Sequence, residues 1–67
     1  MNVIVNGQDQ SVADHLHVDA LLAHMGQAEL GGIAVAINDV VVPKGQWKKH
    51  LINDGDKVLI IKASQGG

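Results

Sequence analysis

The sequence predicts a small α+β domain of five short strands and one helix, in the order ββα, ββ, turn, β. Three observations predict it. Two pairs of extended segments, three of the four β-rich and one polar, are each joined by a two-residue turn signal. One stretch carries a helical repeat of apolar residues, and the last strand is apolar on both faces.

Met1-Asn2-Val3-Ile4-Val5 opens the chain as a β-rich segment, and Asn6-Gly7 follows it. An Asn-Gly pair between extended segments signals a hairpin, because both central residues of a type I′ turn need positive φ. The partner segment, Gln8 to Val12, is polar and suits a sheet edge. Val18, Leu21, Leu22 and Met25 then recur at i, i+3, i+4 and i+7, one face of a helix. Asp19 lies in the first turn, where the helix dipole favours an anion, and Gly26 stands where a left-handed C-terminal cap is expected. The helix is therefore short, about Val18 to Met25, with Gly31-Gly32 closing the loop behind it.

Ile33-Ala34-Val35-Ala36-Ile37 and Val40-Val41-Val42 are apolar, mostly β-branched runs broken by Asn38-Asp39, which reads as a second hairpin. Pro43 cannot donate to a ladder and ends that strand. Lys44 to His50, polar around Trp47, predicts a turn of α- or 3₁₀-helix. Asn53-Asp54-Gly55-Asp56 is a tight turn, and Lys57 to Ala63 is the last strand. Its Val58-Leu59-Ile60-Ile61 run has the pattern of a central strand covered on both faces. One helix covers only one face. Isolated surface aliphatics carry no meaning, but this strand and the equally apolar Ile33–Val42 hairpin predict a contiguous patch and hence an interface.

Composition limits the function classes. Sixty-seven residues, 46% hydrophobic and 18% charged, make one globular domain whose core must be used efficiently. There is no cysteine, so neither a disulfide staple nor a side-chain thiol for covalent chemistry exists in this chain. Net charge is −2 and the five cations are scattered lysines, which argues against nucleic-acid binding by phosphate neutralisation. No segment reads as a signal peptide, and no apolar run approaches the roughly 20 residues of a membrane span, so a cytoplasmic protein with no membrane contact is expected.

The side chains show no active site. His15 and His17 alternate on an extended segment while His24 and His50 are remote, and no three or four ligands converge as a zinc site requires. Asp54 and Asp56 flank Gly55 and read as turn formers rather than an acid–base pair. No glycine pattern forms a phosphate loop. Trp47, the single aromatic, is expected to cap one end of the core, with a hot spot on a partner surface as the alternative.

The tail is where chemistry is expected. The sequence ends Ser64-Gln65-Gly66-Gly67, past a domain spanning residues 1–63. Two residues without Cβ leave a thread barely wider than backbone, and four extended residues reach about 13 Å. Such a thread can enter an enzyme channel, ordered only there, and present its carboxylate to the α-phosphate of ATP. A frayed end without function is the competing reading.

The strand and helix order with its Gly-Gly end resembles the ubiquitin-like β-grasp proteins, which implies a mixed sheet of about five strands packed on one main helix. Ala36-Ile37-Asn38 before a short strand, Val42-Pro43-x-x-x-Trp47, Asp54-Gly55-Asp56, a β-strand and Gly66-Gly67 are together similar to the ThiS family of thiamin-biosynthesis sulfur carriers. Order and spacing hold over about residues 33–67, and the Met1–Asn6 strand and Leu21-Leu22 helix are similar too. Gln65 leaves the tail position before the glycine pair ordinary.

The resemblance implies that a ThiF-like enzyme adenylates the Gly67 carboxylate with ATP. Sulfur relayed from a cysteine desulfurase then displaces AMP, and thiazole synthase takes it from the Gly67 thiocarboxylate. The chain is then a carrier and not an enzyme, holding no cofactor or metal. The ubiquitin-like arrangement further implies that Val58 and Ile60 face the helix while Leu59 and Ile61 face the partner. The small subunit of molybdopterin synthase shares the fold and the tail chemistry, but its members are usually longer. A ubiquitin-like protein modifier and a plain interaction domain are alternatives of other classes.

Overall fold

The computed structural model describes residues 1–26 and 32–62. Ala63 and the Ser64 to Gly67 tail lie outside the described residues, as does Gly31 of the loop behind the helix. Strands β1 (Asn2–Val5) and β2 (Gln8–Ser11) form the first hairpin, with Val5 opposite Gln8. Asn6 and Gly7 take φ of 50° and 83°, as the type I′ reading of Asn-Gly requires. The helix α1 covers Val18–His24, with Met25 as its C-cap and Gly26 beyond it at φ 73°. Strands β3 (Ile33–Ile37) and β4 (Val40–Val42) form the second hairpin, turning at Asn38 (φ 50°) and Asp39 (φ 71°). A 3₁₀ turn spans Lys44–Gln46, and β5 (Lys57–Lys62) closes the described chain.

The strands make one mixed sheet in the order β2-β1-β5-β3-β4. The last strand in sequence is thus the middle one in space, parallel to β1 and antiparallel to β3. The polar β2 lies at an edge, as its composition predicts. This is the α+β arrangement of five strands and one helix expected from the sequence.

One face of the sheet carries the core. Val3 and Val5 of β1, Val35 and Ile37 of β3, and Val58 and Ile60 of β5 are buried with Leu21 and Leu22 of the helix. Each such leucine contributes about 1.5–3 kcal/mol of burial. Trp47 and Ile52 complete the core from the segment between β4 and β5. Trp47 is 7% exposed and its indole N–H donates to the Val42 carbonyl at 2.9 Å, so the tryptophan caps the core rather than a partner surface.

The 3₁₀ region also starts the helix. His17 at the N-cap makes no side-chain capping bond. Instead Val18 N–H donates to the His50 carbonyl (3.0 Å) and Asp19 N–H to the Trp47 carbonyl (3.2 Å). Ala20 N–H donates to the Asp19 carboxylate at 2.8 Å. The first two orphan donors of the helix are thereby met by backbone from another segment and the third by a side chain of its own first turn.

The Asn53–Asp56 turn works as expected of turn formers. The Asp56 carboxylate accepts from Asn53 N–H at 2.8 Å and from the Asn38 side-chain amide at 3.0 Å. Asp54 accepts from Asn2 N–H at 2.8 Å, tying the turn to the start of β1.

The Met1 ammonium donates to the Val12 carbonyl (2.7 Å) and to Asp14 Oδ1 (2.9 Å). That hydrogen bond, then the ammonium charge, holds the Asp14 carboxyl below its ordinary 3.8. A carboxylate depressed in the folded state contributes stability above its unfolded pKa and loses it as pH falls through the folded one. Asp14→Asn should therefore lower the urea midpoint slightly at neutral pH, with the gap to the parent closing as pH is taken below 3.8. A gap independent of pH would mean the ion pair contributes nothing.

Candidate functional site: the uncovered sheet face

The two-residue period of β5 divides its apolar run between two environments. Val58 and Ile60 are 1% and 7% exposed, while Leu59 and Ile61 are 43% and 52% exposed. The described helix lies on the first side only. Leu59 and Ile61 therefore stand on the outer face of the central strand, with the parity expected from the ubiquitin-like arrangement.

Register extends the patch across the sheet. Leu59 lies opposite Ala36, and Ala36 opposite Val41 of the edge strand. Ile61 lies opposite Ala34. Val41 is 67% exposed, so two aliphatic ridges, Val41 and Leu59, stand on either side of the short Ala36 side chain. Contiguous exposed aliphatics of this kind mark an interaction surface. The sequence gives no sign of Val41 and its alanine neighbours beyond the apolar character of their hairpin. Strand order is what joins them to Leu59.

The charges nearby are confined to the strand ends. Lys57 approaches Asp39 at 3.6 Å, with both side chains largely exposed, a contact of little energetic weight. The histidines are dispersed: His17 pairs with Leu51 in an isolated bridge, and His50 lends its carbonyl to the helix start. Among the described residues no three histidine, aspartate or glutamate side chains come together as metal ligands. No helix among them is long and apolar enough to cross a membrane. A cavity of about 200 Å³ between Leu22, Trp47, Lys44, Lys48 and Asp19 lies on the helix side, opposite the patch.

The strand that presents the patch is the one that leads into residues 63–67. A mixed five-strand sheet with one helix packed on one face, and no described element on the other, defines a ubiquitin-like β-grasp protein.

Comparison with known proteins narrows the class. The ThiS family model matches residues 3–67. The Sulfur carrier protein ThiS of Escherichia coli is 36% identical over 67 residues, covering the whole of both chains. A crystal structure of the thiamine biosynthesis protein ThiS from Geobacter metallireducens superposes with a TM-score of 0.87 at 30% identity, again over the full length of both. A Thiazole synthase of Paramagnetospirillum magneticum is 33% identical over all 67 residues of this chain, which span 20% of that protein's length. The chain belongs to the ThiS family, the sulfur carriers of thiamin biosynthesis.

The two faces of β5 should respond oppositely to one charge. Leu59→Asp should fold with a melting curve close to the parent's, because the carboxylate stays in water. Ile60→Asp should not fold, since an unpaired buried charge costs several kcal/mol against a total stability of about 3–5 kcal/mol. Circular dichroism melts decide it, and reversed outcomes would exchange the faces.

Proposed function

We propose that this chain carries sulfur on the Gly67 carboxylate and contributes no catalytic residue of its own. A ThiF-like adenylating enzyme joins that carboxylate to the α-phosphate of ATP, releasing pyrophosphate. Sulfur relayed from a cysteine desulfurase as a protein persulfide then attacks the acyl carbon and AMP leaves, and a thiol reductant cleaves the resulting acyl disulfide, leaving with the relay sulfur as a disulfide. The product is a Gly67 thiocarboxylate, from which thiazole synthase takes sulfur for the thiazole ring. ATP is the adenylating enzyme's ligand, and the carrier holds no cofactor.

The observation that carries this reading is the exposed Leu59–Ile61 face on the strand that runs directly into the tail. Docking through that face holds the start of the tail at a set place against the partner. Residues 64–67, slim and without an apolar anchor, then span the remaining distance of about 13 Å. The absence of cysteine supports the same assignment, because no side chain can hold a thiol or persulfide and sulfur must ride on the terminus. The match to part of a thiazole synthase supports that enzyme as the destination, since a carrier-like segment and the named activity share one chain there.

Face and tail should fail in different ways. Leu59→Asp should weaken binding to the adenylating enzyme by roughly tenfold or more, the effect of placing an unpaired carboxylate in an apolar contact. Binding at parental affinity would exclude Leu59 from the interface. Deleting Gly67 leaves the carboxylate about 3.3–3.6 Å short of the ATP, and a bulky residue there fills a channel sized for backbone. Both changes should abolish thiocarboxylate formation while thermal unfolding stays at the parent's value. Intact mass after incubation with adenylating enzyme, ATP and a sulfur source should show oxygen exchanged for sulfur in the parent alone. Sulfur on the truncated chain would refute the terminal-carboxylate mechanism.

A further inference from the structure

The two sides of β5 are not equally supported. Its β3 side is paired from Val58, opposite Ile37, to Lys62, opposite Ile33. Its β1 side is paired only at Lys57 and Val58, because β1 ends at Val5 and the chain turns back at Asn6-Gly7. From residue 59 onward the strand that leads into the tail has no strand beside it there among the described residues.

Asn6 extends the missing strand by one rung. Its backbone N–H donates to the Val58 carbonyl at 2.9 Å, the last main-chain bond of the β1–β5 ladder. Its side-chain Oδ1 accepts the next inward amide, Ile60 N–H, at 2.8 Å in a partly buried setting. The bond spans 54 positions of sequence. The ladder alternates along a strand, so Lys62 N–H points to the same open side, and among the described residues it has no strand opposite it there. Asn6 therefore marks the last point at which β5 is held from both sides.

The residue type is tightly constrained. Position 6 must adopt φ of 50° to open the type I′ turn, and it must also offer an acceptor on a short side chain. Glycine meets only the first need. Asparagine and aspartate meet both.

Resting on the sulfur-carrier reading, we propose that Asn6 is a positioning residue for the reactive tail. By binding Ile60 N–H it fixes the direction in which β5 leaves the sheet, and so the line along which the Gly67 carboxylate is delivered to the ATP. Docking through Leu59 and Ile61 sets how tightly the carrier binds. The Asn6 bond sets how often the bound carrier has its tail in register, which shows in turnover rather than in affinity.

Asn6→Gly removes the acceptor and keeps a residue suited to the turn, while Asn6→Asp retains the acceptor. Amide hydrogen exchange read by NMR should show Ile60 exchanging at least about tenfold faster in Asn6→Gly, relative to the amides of β3, and near the parental rate in Asn6→Asp. In the adenylation and sulfur-transfer assay, Asn6→Gly should lower kcat by roughly tenfold with KM for the carrier within about twofold, and Asn6→Asp should restore it. A merely destabilised carrier would do the reverse, because fewer folded molecules raise the apparent KM and saturation recovers the rate. Unchanged Ile60 exchange in Asn6→Gly overturns the clamp. Faster exchange with parental kcat confines Asn6 to closing the sheet and overturns its role in delivery. A parent chain that accepts no sulfur removes the carrier reading and the positioning role together, an outcome separable from an active Asn6→Gly variant.

Discussion

A sheet with two apolar faces and a single described helix leaves one face in water, and most of this molecule is a consequence of that imbalance. The cause is the alternation of β5, where Val58 and Ile60 are buried under the helix while Leu59 and Ile61 project from the other side. Because β5 lies at the centre of the strand order, its outward residues line up with Ala36, Val41 and Ala34 instead of standing alone. The same strand leads into the tail. Core, exposed apolar face and the lead into the C-terminal residues thus all come from one six-residue strand.

The domain holds this arrangement without a disulfide or a metal cluster among its described residues. Aliphatic burial is the main source of stability, and a set of short polar ties orients the strands. Asn6, Asn38, Asp54 and Asp56 each join segments far apart in sequence to β5 or to the turn before it. Asn38 is the clearest case: its N–H donates to the Lys57 carbonyl and its Oδ1 accepts Lys57 N–H, so a turn residue of one hairpin begins the pairing of another strand. Net worth per bond is about 1 kcal/mol. Their larger effect is on register, since a one-residue slip of β5 would put Leu59 in the core and Ile60 in water.

Much of this was legible in the sequence because the local signals agree with one another. Asn6-Gly7 and Asn38-Asp39 specified both hairpins through positive φ, and the helix stops at His24, one residue short of the expected Met25, with the left-handed Gly26 just beyond the cap. The strand pattern of Val58 to Ile61 announced a central strand, and the tail with the Pro43, Trp47 and Asp54-Gly55-Asp56 spacing pointed to the ThiS family. Long-range pairing was not legible. Nothing local in Asn6 shows that its side chain reaches Ile60, because turn chemistry already accounts for an asparagine there. Nor does the residue pattern place Val41 beside Leu59, which depends on β3 and β5 pairing through Ala36. The helix N-terminus hid its caps for the same reason: the His50 and Trp47 carbonyls are remote in sequence, and His17 offers no capping signal.

The solitary indole gives the protein an optical separation of two events. Trp47 is sealed into the core on the helix side of the sheet and bonded to the Val42 carbonyl, while the exposed Leu59 and Ile61 lie on the opposite surface. With no other tryptophan and no tyrosine, all of the near-ultraviolet emission of the isolated chain comes from that one sheltered ring. Its colour therefore reports whether the domain is folded and is insulated from whatever settles on the far face. Unfolding can therefore be followed without a label, whatever covers the opposite face.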